Sequence, residues 1–143
     1  MRRIFLAFLL VLGGLAARNF STTGAGFSFS NGANKAPKGA PPAQETWGYM
    51  ASLQDHYDRH GGDFRATSPE DYAAKAWAFR ERAVARHLRM KFDGYTVRVM
   101  DLQSLEFAAF NRDGTTKTYF RPRDAGYWQR QPGSQITTPP WVR

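Results

Sequence analysis

His56 and His60 lie four residues apart in the stretch Asp55-His56-Tyr57-Asp58-Arg59-His60-Gly61-Gly62. On a helix that spacing is about one turn, so both imidazoles share a face. Histidine is the side chain whose ordinary pKa, about 6.5, lets it take and give protons near neutrality. Lys and Arg outnumber Asp and Glu by 20 to 12. Imidazoles in a positive field suit metal-independent cleavage of a polyanion, RNA above all. That reaction needs a base for the ribose 2′-hydroxyl, a cation for the phosphorane and an acid for the departing 5′-oxygen. His60 is the first candidate base or acid, because Gly61-Gly62 beside it lets a backbone approach closely. Its competing role is a helix-end cation that satisfies terminal carbonyls.

Further candidates follow the histidines along the chain. Lys91 begins a β region, and Arg98 alternates with Val97 and Val99. Either can meet a phosphate, and either can equally belong to a solvated sheet face. Thr116 and Thr118 alternate on one strand, which predicts that both hydroxyls point to one side with Phe120. Thr118 is the candidate there, and plain cross-strand threonine pairing is its competitor. Tyr119 points the opposite way, to pack or to stack. Tyr127-Trp128 can stack a base or cover the core.

Other chemistries find less support. The chain has no cysteine, which removes disulfides and thiolate metal sites. Two histidines four apart do occur in zinc sites, but the protease glutamate is missing and no third ligand is evident. No metal and no cofactor is therefore expected. A Ser-His-Asp triad has no nucleophile elbow behind it, and no P-loop occurs.

The elements that must position these groups come after an unpromising start. Met1-Arg2-Arg3, the apolar run Ile4 to Leu12 and the small residues up to Ala17 have the layout of a secretory signal peptide. The run is short against the roughly 20 apolar residues that span a bilayer. Residues 1–17 are thus expected to be cleaved, with an uncleaved membrane anchor as the alternative; cleavage leaves no stable membrane span and a secreted or periplasmic protein with a charge excess of six. Residues 18–45, rich in Ser, Gly, Ala and Pro, read as a flexible linker. A folded domain is expected over 46–131, with an irregular tail over 132–143.

Within the domain, Trp47, Met50, Leu53 and Tyr57 make a helical apolar stripe that should stop at Gly61-Gly62. Ser68-Pro69-Glu70-Asp71 is a well-formed start for a second helix, running to about Leu88. The period then changes to two. Strands are expected at Tyr95–Val99, Leu105–Phe110 and Thr115–Phe120, with Asn111-Arg112-Asp113-Gly114 as a turn. Tyr127-Trp128 would add a short fourth strand. The expected class is α+β, with N-terminal helices packed on a small antiparallel sheet of three to four strands.

Taken in order, these motifs carry a resemblance. His56-x-x-x-His60-Gly-Gly-Asp-Phe64, Ser68-Pro-Glu-Asp-Tyr72, Asn111-Arg-Asp-Gly114 and Thr116-Lys-Thr-Tyr-Phe-Arg-Pro122 are followed by Tyr127-Trp128 and Gln131. Together they resemble the C-terminal ribonuclease toxin modules of bacterial polymorphic and contact-dependent inhibition systems, the barnase-, EndoU-, colicin E5/D- and RelE-like group. The resemblance implies helices on a four-stranded antiparallel sheet whose open face holds RNA. It also implies metal-free RNA cleavage, often of tRNA, and a cognate immunity protein, expected to be acidic. Thr118 falls where that group has a polar active residue. The expected catalytic set is thus His60, Thr118, Arg98 and Lys91, with His56, Arg112, Lys117, Arg121 and Tyr119 as substrate contacts. Such modules usually end a very large protein, whereas this one has its own signal segment. The alternative is a non-catalytic basic module that binds RNA, an acidic partner protein or anionic envelope polymers.

Overall fold

Three helices precede five strands in the computed structural model, which describes residues 39–143. The expected signal segment and most of the expected linker lie outside the described residues. The helices are α1 (Ala43–Thr46), α2 (Leu53–His60) and α3 (Pro69–Ala85). The strands are β1 (Arg89–Phe92), β2 (Thr96–Asp101), β3 (Glu106–Asn111), β4 (Thr116–Phe120) and β5 (Ser134–Ile136). They form one antiparallel sheet in the order β4-β3-β2-β1-β5. The α+β class is as expected, and the sheet is larger than the three to four strands foreseen. Among the described residues no helix is long and apolar enough to cross a membrane.

Local chemistry explains the best-defined helix. The Ser68 hydroxyl accepts from the Asp71 N–H at 3.1 Å, and Pro69 opens the first turn, where its missing N–H costs nothing. Ser68→Ala should therefore cost about 1 kcal/mol, read as a lowered urea midpoint with an unchanged slope. At the other end His87 takes a left-handed conformation (φ 50°) and the Leu88 N–H reaches back to the Ala83 carbonyl. The helix closes there, short of the expected Leu88.

The N-terminal helical stripe is not one helix. Trp47 is extended and bridges Thr116 in parallel, and the Gly48 N–H donates to the Thr116 carbonyl at 2.8 Å. This long-range pairing separates α1 from α2. α2 does end at Gly61-Gly62 as expected, but not through a left-handed glycine. Gly61 is helical (φ −57°) and leads a 3-10 turn, Gly61–Phe64. The left-handed residue is Arg65 (φ 51°), with the Ala66 N–H on the Gly61 carbonyl. A Cβ at Gly61 would sit 2.6 Å from the Tyr57 ring, so this glycine serves close packing rather than a turn.

Both faces of the sheet are covered, unequally. Tyr72, Phe79, Met90, Val97, Val99 and Phe110 are fully buried between the helices and one face. On the other face Met100, Phe107 and Ala109 pack with Trp128. Tyr127-Trp128 is therefore a lid on this second face rather than a strand; Tyr127 ends a short 3-10 turn. The tail beyond 131 is also part of the fold. It supplies β5, which pairs Met90 with Ile136, and Trp141 meets the Phe110 ring edge-on at 5.5 Å.

Candidate active site

β4 is an edge strand, and α2 lies along it. His56 Nδ1 is 3.4 Å from the Thr118 hydroxyl, and the His60 ring stacks on Phe120 with centroids 5.3 Å apart. The two imidazole centroids are 6.3 Å apart. Trp47 holds the other side of His56 edge-on at 5.3 Å, and its indole N–H donates to Ser52. One helix face thus presents both histidines to alternate residues of one strand, as the periods of helix and strand allow. His60, the first candidate from sequence, packs on an aromatic ring, and His56 is the one that meets the hydroxyl.

A bulge decides which hydroxyl that is. Thr116 pairs with Phe110 and Thr118 with Ala109, so Lys117 is the extra residue opposite an uninterrupted β3. Thr116 is buried on the helix side, and Thr118 faces the other way. The expectation that both hydroxyls share a side fails because alternation is interrupted at Lys117. The Lys117 ammonium reaches the Thr96 hydroxyl at 3.0 Å across the second face, and the residue remains exposed.

Arg98 and Lys91 share a cross-strand row with Thr118: Lys91 pairs with Arg98, Arg98 with Ala109, and Ala109 with Thr118. Two strand spacings, roughly 9–10 Å, separate Arg98 from Thr118. Their charged heads are already engaged. The Lys91 ammonium donates to the carbonyls of Trp128 (3.1 Å) and Gln131 (2.7 Å) and lies 4.9 Å from the Trp128 ring centroid. Arg98 pairs with Asp93 at 2.6 Å. The Asp93 carboxyl lies far below the usual range, first through the Thr96 N–H, then through Arg98 and the Tyr95 N–H. Lys91 thus fastens the covering segment, and the cation whose charge acts on both histidines is Arg59 of α2.

Two expected contacts lie elsewhere. Tyr119 is 3 % exposed, stacks on Phe64 on the helix side and donates to Glu106 at 3.1 Å. Burial first, then the Glu106 charge, pushes its phenol pKa far up. Arg121 also reaches toward Glu106 and lies over the Phe64 ring, while Arg82 holds the same carboxylate. This is a charge cluster on the far side of β4. Arg112 sits exposed in the β3–β4 turn, on the side of Lys117 away from His60. The turn is as expected, with Gly114 at φ 91° and the Asp113 carboxylate holding the Thr115 N–H.

Electrostatics favour neutral imidazoles. Burial first, then the Arg59 charge, holds both His56 and His60 below the ordinary 6.5. Among the described residues no three His, Asp or Glu side chains converge to hold a metal ion. Sequence reasoning overlooked Trp47 and Phe120 as supports of the two rings. Their signal was available only as aromatic residues in otherwise polar stretches. The chain matches no protein-family model and no curated protein.

Proposed function

We propose that this chain is an exported bacterial toxin that cleaves RNA, tRNA foremost, by general acid–base catalysis without a metal. One observation carries the reading: two proton-poor imidazoles share one face of α2, and one meets the Thr118 hydroxyl beside the exposed Lys117. His56 removes the ribose 2′-hydroxyl proton, and the freed oxygen attacks phosphorus. His60 gives its proton to the departing 5′-oxygen as the P–O5′ bond breaks, which leaves a 2′,3′-cyclic phosphate. Thr118 donates to a phosphoryl oxygen as charge builds on it. Lys91 acts indirectly, by holding Trp128 on the sheet. Export rests on the sequence of residues 1–17, and the acidic immunity partner on the resemblance together with the chain's positive charge.

The test is incubation of the chain with total tRNA in EDTA, with the product ends analysed. Cyclic phosphate ends are expected. Salt-dependent binding without any cleavage would leave only a basic module for RNA, an acidic protein or an envelope polymer.

The reaction needs one neutral and one protonated imidazole, and both ionisations lie on the acid side of 6.5. The kcat/KM profile, which reports the free enzyme, should therefore peak below pH 6.5 and fall toward pH 8. Stability has its own sign here. The folded chain binds these two protons less readily than the unfolded chain. The stability present above pH 6.5 is therefore lost as pH falls through the lowered values. A circular dichroism melt at each pH separates the two effects. A peak at pH 8 with the fold intact would contradict the assignment.

A further inference from the structure

The histidine edge does not end at Thr118. One turn of α2 before His56 stands Ser52, and one residue before Thr118 on β4 stands Lys117. These two, with Gly48, Tyr49 and Asn111, line a cavity of about 310 Å³. A second cavity, of about 760 Å³, shares Asn111 and Lys117 and continues to Tyr95, Arg112 and Trp141. Both volumes fall within the roughly 300–1,000 Å³ common for small-ligand sites. Tyr49 is 70 % exposed and Tyr95 83 % exposed, the two most exposed large aromatic residues described.

We infer that Tyr49 and Tyr95, on either side of Lys117 and Asn111, form a subsite that stacks two unpaired bases of a single-stranded polynucleotide. Exposed rings alone are ordinary on protein surfaces. Here each ring borders a cavity, and the cavities share an ammonium and an amide. The rings offer sequence-tolerant stacking surfaces, and the Lys117 ammonium meets the phosphate between the bases. The Asn111 amide gives one N–H to Thr115 at 2.8 Å, which leaves its carbonyl oxygen and second N–H for a base edge. Gly48 makes room for this amide: a Cβ there would lie 2.3 Å from Asn111 Nδ2. Arg112 adds charge at the far end. A base pair locked in a duplex presents no free ring face, so the subsite selects single strands.

The inference extends the RNA-cleavage reading, and its test does not depend on turnover. The probe is a 2′-O-methyl oligonucleotide about ten nucleotides long, which lacks the attacking hydroxyl, presented single-stranded and as a duplex to the full chain. Tyr49→Ala and Tyr95→Ala should each weaken single-strand binding by roughly tenfold, with the duplex affinity unchanged. Tyr49→Phe and Tyr95→Phe should bind as the parent does. Tyrosine-dependent binding of the probe, with tRNA left uncut, would keep the subsite and sink the catalytic proposal. Cleavage of tRNA with unaltered probe binding in both alanine variants would do the reverse. Failure of the parent chain to bind the single strand, or equal losses on single strand and duplex, would overturn the subsite.

Discussion

His56→Ala is expected to lower kcat/KM on RNA by about 10²–10⁴-fold, the usual contribution of a positioned acid or base. The residue is half-buried at the sheet edge, so the variant should fold, and a melt near that of the parent is part of the expected result. His60→Ala should lose activity to a similar degree. The double variant should fall little further, because groups that act as a unit are strongly non-additive. Thr118→Val keeps the strand's shape and removes only the hydroxyl. It should cost about tenfold to a hundredfold, the worth of a hydrogen bond to a charged group. Cleavage at the parent rate by all three single variants would end the proposal. A loss confined to His60→Ala, with His56→Ala fully active, would move the chemistry to the Phe120 end of α2.

Trp128→Ala should produce the largest loss of stability outside the main core, about 3–5 kcal/mol. The indole is 3 % exposed and packs with Met100, Phe107 and Ala109. Its removal opens a cavity that the rigid strands beneath cannot collapse to fill. The backbone around it is fastened by the Lys91 ammonium on the carbonyls of residues 128 and 131, so the segment loses its plug while keeping its clip. Against the roughly 5–15 kcal/mol that holds a domain together, the loss is a large fraction. Urea unfolding measures it. Trp128→Phe should retain most of the stability. An alanine variant as stable as the parent would mean that this segment does not pack on the sheet in solution.

The parts of the fold governed by neighbouring residues were legible in the sequence. The start of α3 is cap chemistry among Ser68, Pro69 and Asp71, and the β3–β4 turn follows from Asn111 to Gly114. Parts that depend on distant partners were not. β5 is three residues, Ser-Gln-Ile, without a readable alternation, and exists because β1 offers an edge. The break between α1 and α2 comes from Trp47 pairing with Thr116. The same division runs through the site. The histidine spacing and the strand carrying Thr118 could be read directly. That His56 rather than His60 meets the hydroxyl depends on how α2 docks along β4. The engagement of Lys91 and Arg98 depends on Trp128, Gln131 and Asp93, whose positions no local pattern fixes. Tyr95 did carry a usable signal: an aromatic ring in a Gly94 turn has nothing local to bury it.

The irregularity in β4 separates architecture from purpose at one position. Thr116 and Tyr119 face the helices whether or not a residue intervenes, since excising Lys117 would restore strict two-residue periodicity from Thr116 onward. The alternation of β4 therefore does not require that lysine. What its presence adds is one more ammonium among hydroxyls and rings, supplied by lengthening the chain instead of by replacing a side chain the core requires.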